Sequence, residues 1–247
     1  MALRKFVFKP GIDKEGTNYS NEGGWFDADK VRFRKGRPEK IGGWTKNSRN
    51  SFVGTCRKIH VYKSAQQTQY NILGTHKKLL AQKGNVFNDI TPLRSTTSAG
   101  DVTFSATNGS STLTVSDTAH GAVQGDFVTF SGASSLGGVV SASVLNQEYE
   151  IDAVTTDTYT ITAKDTDGVT VTANSADSGN GGSSVVGAYQ LNVGLDVYID
   201  STGWGSGTWG AGGWGISTAI SLTNQLRLWS IDNFGDDIVA APRYGRL

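Results

Sequence analysis

The sequence predicts an all-β protein: a propeller-like or sandwich-like host sheet interrupted by a small inserted β-sandwich or barrel domain. Three observations carry that expectation. Short β-rich runs closed by turn residues recur along the chain, at 57–62, 69–74, 126–130, 157–162 and 168–172. No window of about twelve residues or more places apolar side chains at i, i+3, i+4 and i+7, so helix is expected to be scarce. Charge is also segmented. The 247 residues carry a formal net charge of +1. Within that total, residues 1–94 hold 19 Lys and Arg against seven Asp and Glu, 95–193 hold one Lys against ten acids, and 194–247 hold three Arg against five Asp. Such a partition argues for separate structural regions.

The first region, 1–94, opens on an irregular Gly- and Asn-rich arm and reaches Trp25-Phe26-Asp27-Ala28-Asp29-Lys30-Val31-Arg32-Phe33-Arg34-Lys35-Gly36. In an extended strand, Lys30, Arg32 and Arg34 would share one face, and Val31 and Phe33 the other. Residues 52–94 read as a four-stranded meander with strands at 52–56, 57–63, 70–75 and 77–82, closing on 88–92. Strands spaced about ten residues apart suit a propeller blade or half a sandwich. One such sheet cannot bury both of its faces alone.

The second region, 95–193, turns to Ser, Thr, Gly, Val and Asp, as expected of a compact β-sandwich or barrel inserted at a loop of the host. Its Ser178-Gly179-Asn180-Gly181-Gly182-Ser183-Ser184 stretch reads as an exposed loop. The third region, 194–247, returns to the host with Val197, Tyr198, Ile199, Leu226, Leu228, Trp229 and Ile231. Between these lies a Gly-rich repeat carrying Trp204, Trp209 and Trp214. Burying one Trp removes about 150 to 250 Å² from water. Three of them on a Gly-rich segment cannot cover one another and are expected to dock on another element or another chain.

Several function classes are disfavoured early. No stretch approaches the roughly 20 apolar residues of a membrane span, and the first ten residues carry no apolar core of a signal peptide. Cys56 is the single cysteine, so no internal disulfide forms and folding in a bacterial cytoplasm is expected. The chain is 37% hydrophobic, enough to bury a core.

The segments Lys5-Phe6-Val7-Phe8-Lys9-Pro10-Gly11-Ile12, Ser20-Asn21-Glu22-Gly23-Gly24-Trp25-Phe26-Asp27-Ala28-Asp29-Lys30-Val31-Arg32-Phe33-Arg34 and Pro38-Glu39-Lys40-Ile41-Gly42-Gly43-Trp44 resemble structural tail proteins of tailed, marine-type bacteriophages. The Gly-Trp-Gly repeats and the run from Leu228 to Arg243 fit the same pattern. In plan the chain is similar to the tail hub, nozzle or packaged-DNA stabilisation proteins of short-tailed phages. The resemblance covers about 1–94 and 195–247 and leaves the middle region as an insertion. It implies a propeller-like body in a homohexameric ring of the head–tail connector, below the portal and adaptor. There the chain would close the channel, retain packaged DNA and pass it during ejection. Implied partners are further copies of the chain, the adaptor or other tail proteins, and packaged DNA, with no membrane span and no small-molecule substrate. The implied location is the virion. At 247 residues the chain is short of a full propeller. A ring subunit completed by its neighbours, a reduced relative and a fragment all accommodate that length. The alternative reading is a host-surface glycan adhesin or decoration module working through the insertion, whose available aromatics are Phe104, Phe127, Phe130, Tyr149, Tyr159 and Tyr189.

No catalytic, cofactor-binding or metal-binding residues are proposed, and the chain is read as a non-enzyme. Gly205-Ser206-Gly207-Thr208-Trp209-Gly210 and Gly210-Ala211-Gly212-Gly213-Trp214-Gly215 match G-x-G-x-x-G, but the strand–turn–helix setting a dinucleotide needs is missing. Cys56 and His60 are spaced to share a strand face, with His76 further on, yet no paired ligand spacing supports zinc. His120 reads as a turn residue, and Asp165-Thr166-Asp167-Gly168 as a turn rather than a calcium loop. The candidate functional residues are instead the basic patch Lys30, Arg32, Arg34, Lys35, Arg37 and Lys40, facing DNA or a neighbouring subunit. Trp25, Trp44, Trp204, Trp209 and Trp214 are the candidate assembly contacts.

Overall fold

A computed structural model describes residues 9–17, 19–43, 45–197 and 226–243. The protein is all-β, built from several small antiparallel sheets, and among the described residues none closes into a barrel. The chain divides into two compact units, Met1–Asn47 and Ser48–Leu247. In the first, β1 (Val31–Arg34) and β2 (Arg37–Lys40) form a hairpin.

The second unit begins with a four-stranded antiparallel meander: β3 (Cys56–Lys63), β4 (Gln69–Thr75), β5 (Leu79–Lys83) and β6 (Val86–Asp89), paired in chain order. The strand expected at 52–56 does not form; only Cys56 joins β3. The fourth strand is β6, which runs into the first two residues of the expected closing segment, because Gly84 at φ +60 allows a tight turn straight after β5. One sheet face carries Tyr62, Tyr70, Ile72, Gly74, Leu79 and Ala81. A hairpin made of β15 (Trp229–Phe234) and β16 (Asp237–Pro242) covers that face. The β15 residues Trp229 and Ile231 complete a small core with Ile72 and Leu79. The Trp229 indole lies against Gly74, where an added Cβ would sit 2.5 Å from Cδ1. Gly74→Ala is therefore expected to cost about 1–3 kcal/mol by overpacking. The check is urea unfolding: the midpoint should fall with the m-value unchanged.

Between β6 and the return lie two four-stranded sheets packed face to face. One orders β11 (Glu148–Glu150), β10 (Phe127–Ser131), β14 (Val186–Gln190) and β7 (Leu93–Thr96). The other orders β12 (Ala153–Val154), β13 (Thr158–Thr162), β9 (Thr112–Ser116) and β8 (Thr103–Ala106). Alternation aims Phe104, Leu113, Val115, Tyr159 and Ile161 from one sheet at Val128, Phe130, Tyr149 and Tyr189 from the other. One helical turn, α1 (Ala142–Leu145), packs Val144 and Leu145 into this core.

Two local expectations change here. Residues 168–172 form only a single bridge, Thr170 with Lys164, because the Asp165 carboxylate takes the backbone N–H of Asp167 and Val169 and holds the segment as a turn. The 178–184 stretch is not wholly an exposed loop. Gly181 is buried against Phe104, an approach that only a residue without a side chain permits, since a Cβ would meet the ring at 2.6 Å.

Candidate functional site

The basic segment folds into the β1–β2 hairpin, which sorts its cations. Val31 pairs with Lys40, Arg32 with Glu39, Phe33 with Pro38 and Arg34 with Arg37. Arg32, Arg34, Arg37 and Glu39 thus share one face, and Val31, Phe33, Pro38 and Lys40 the other. Lys40 lies on the apolar face, away from the arginines it accompanies in sequence. Lys30 precedes the strand with φ +55, which takes it out of the alternation expected with Arg32, and its ammonium lies 3.7 Å from Asp29. Arg32 donates to Glu39 at 3.2 Å.

The remaining cations crowd the tip. Lys35 and Gly36 form a two-residue turn with φ of +50 and +76, the left-handed pair of a type I′ hairpin. Lysine there strains the backbone by about 1 kcal/mol, where Asn or Gly is at ease. Arg34 and Arg37 stand directly opposite each other, a destabilising like-charge pair. Among the described residues no carboxylate pairs with Arg34, Lys35, Arg37 or Lys40.

Of the expected assembly tryptophans, Trp25 is half-buried and packs within its own unit, its ring 6.3 Å from that of Phe33. Trp44, Trp204, Trp209 and Trp214 lie outside the described residues, as do both G-x-G-x-x-G matches.

An exposed apolar surface appears elsewhere. β3 is an edge strand of the meander, and among the described residues no strand pairs with its outer side. Its Ile59 and Val61, on the face opposite the β15–β16 hairpin, are 60% and 54% exposed. Their neighbours on that face, Leu73 and Leu80, are buried.

The strongest polar cluster joins the meander to the β10–β11–β14 sheet. Lys78 Nζ is bonded to Asp89 at 2.7 Å and Glu148 at 2.5 Å and sits 4.1 Å above the Phe127 ring. Gln190 donates its two amide hydrogens to the same carboxylates. Burial raises the Asp89 pKa, but hydrogen bonds from Lys78, Thr91 and Gln190 outweigh it and leave the group below its ordinary value. A cavity of about 400 Å³, lined in part by Phe52, Phe87 and Thr129, opens beside the cluster. The charges are committed to one another, so the cluster acts chemically as a clamp.

The other polar candidates are also absorbed by structure. A register shift between Cys56 and Lys58 pairs Cys56 with Thr75, which turns it to the sheet face opposite His60 rather than the shared face the spacing suggests. His60 bonds Asn233, and burial pushes the Cys56 thiol up. His76 accepts the Thr55 N–H at 2.9 Å, and its pKa is lowered chiefly by burial. His120 is a core residue as well as a turn residue. Its Nδ1 accepts the Ala122 N–H, and its ring lies 5.0 Å from Tyr159. Beside it Tyr189 donates to Asp117 at 2.6 Å and bonds Tyr159 at 2.7 Å, and burial raises both phenol pKa values. No spacing in the sequence announces this group.

With this geometry established, comparisons with known proteins add little. No protein-family model matches the chain. No curated protein matches it either. Among solved structures it is similar to a phage phi92 endosialidase at 18% identity and a TM-score of 0.28, over 62% of this chain and 21% of that one. The chain thus spans about a fifth of that protein, and a likeness so slight carries neither fold nor activity across. The six aromatics available in sequence for stacking on a glycan, Phe104, Phe127, Phe130, Tyr149, Tyr159 and Tyr189, are all buried. None can present a ring to a sugar.

Proposed function

We propose that the chain is a non-enzymatic structural protein of a phage tail, a hub- or nozzle-type ring component that assembles with copies of itself around the DNA channel. The observation that carries this reading is the open edge of β3. Among the described residues no strand pairs with the outer side of this eight-residue strand, and beyond its bulge at Cys56–Lys58 the two exposed β-branched residues offer a template for pairing with another chain. A ring subunit supplies the missing strand or apolar cover from its neighbour. Tail-protein resemblance in the arm, the hairpin and the Leu228–Arg243 run supports the setting.

The test is oligomeric state. The purified chain is expected to associate at micromolar concentration, as measured by light scattering after gel filtration, with six copies as the expected ring. Ile59→Lys combined with Val61→Lys should shift it to monomer while leaving the far-ultraviolet circular dichroism unchanged. A chain that stays monomeric at high concentration would defeat this reading.

A further inference from the structure

From the register and turn of the β1–β2 hairpin, we infer that its tip, Arg34-Lys35-Gly36-Arg37, is a contact for the phosphate backbone of duplex DNA. This deepens the tail reading and rests on it only for its setting, because the sheet edge reports through oligomeric state and the hairpin through DNA affinity.

Three features of the hairpin point the same way. Like charges are held face to face at Arg34 and Arg37, an arrangement that is relieved when an anion enters between them. A lysine occupies a left-handed turn position that suits Asn or Gly, so a positive charge is kept where the backbone disfavours it. The cationic face also lacks any apolar residue: Arg32, Arg34, Arg37 and Glu39 make it up, while Val31 and Phe33 point the other way.

That last feature selects the partner. Protein interfaces centre on apolar or aromatic anchors, with arginine set among them, and this face has no such anchor. A face of guanidinium groups with an ammonium at its tip instead matches phosphate oxygens, which arginine meets with two parallel hydrogen bonds. A two-stranded ribbon is also of a size that the major groove admits. The proposed contact is to phosphate alone, so binding is expected to be independent of sequence and steeply dependent on salt.

The experiment uses the full chain and a random-sequence duplex of about 30 base pairs, with affinity followed by fluorescence anisotropy across a salt series. Each neutralised phosphate contributes about 0.9 to the log–log salt slope. Arg34→Gln, Lys35→Asn and Arg37→Gln together should lower the slope by about 2.7 and weaken binding at low salt by at least about tenfold. Lys35→Asn alone should lower it by about 0.9 without loss of thermal stability, since Asn suits the turn, and so separates lost charge from a lost hairpin. Glu39→Gln, which releases Arg32 from its ion pair, should strengthen binding. Unchanged affinity and slope in the triple variant would overturn the inference. So would a triple variant that loses self-association while keeping DNA binding, because the face would then belong to a protein contact.

Discussion

Trp229→Ala is expected to cost about 3–5 kcal/mol, the range for deleting a buried large aromatic. Trp229 is nearly fully buried, closes the core over Ile72 and Leu79, and donates its indole N–H to the Thr75 carbonyl at 2.7 Å. Removing it uncovers one face of the meander and leaves the Thr75 carbonyl without that donor. Phe at the same position keeps most of the apolar contact and loses only the hydrogen bond, so Trp229→Phe should cost nearer 1 kcal/mol from that source. Hydrogen exchange locates the effect. Amides of Leu73 and Gly74 in β4 should lose protection in the Ala variant, while those of Tyr159 and Ile161 in the sandwich core should keep theirs. Equal loss at both places would mean that the two cores unfold as one and that Trp229 is no local pin.

Lys78→Met is the second large effect, about 3 kcal/mol. Breaking a buried ion pair costs about 3–5 kcal/mol, and the lower end applies because Asp89 and Glu148 keep some access to water. The side chain of Lys78 is only 5% exposed, so methionine can fill its stem while the two carboxylates lose their shared cation. The pH dependence has a definite sign. In the wild type the Asp89 pKa is depressed in the fold, so its stabilising contribution is complete above the unfolded carboxylate range, near pH 4, and is lost as pH falls through the lower folded value. Without Lys78, two carboxylates bonded to one Gln190 amide repel each other. The variant should then regain stability on acidification from neutral pH toward pH 4, a range over which the Asp89 contribution in the wild type stays complete. Thermal melts at pH 7, 5 and 4 provide the measurement. Parallel curves for the two proteins would show that Lys78 is not the source of the Asp89 depression.

Much of the architecture was legible because β structure writes itself at period two. The alternation in Thr158–Thr162 predicts which side chains face inward, and the structure buries Tyr159 and Ile161 as that pattern requires. The Asp165–Gly168 turn was equally readable, since a carboxylate that caps nearby N–H groups acts over only a few residues. Less could be read from the basic segment. Its composition was plain, but pairing Arg34 with Arg37 and moving Lys40 to the other face depended on a turn centred on Lys35 and Gly36. A single inserted residue likewise parted Cys56 from His60. The sugar-stacking reading failed for a related reason: aromatic content was visible in sequence, but not the side of the sheet on which each ring stands.

By itself, then, the sequence determined an all-β chain with scarce helix, a Ser- and Thr-rich region in its middle and a concentration of positive charge near its start. These are properties of composition and short-range periodicity. Only the tertiary structure decided that Lys78 meets Glu148 seventy residues away, that Trp229 closes over Gly74, and that no strand among the described residues pairs with the outer side of β3. Each of these depends on which surfaces meet after the chain folds back on itself, and no local pattern of residues encodes that meeting.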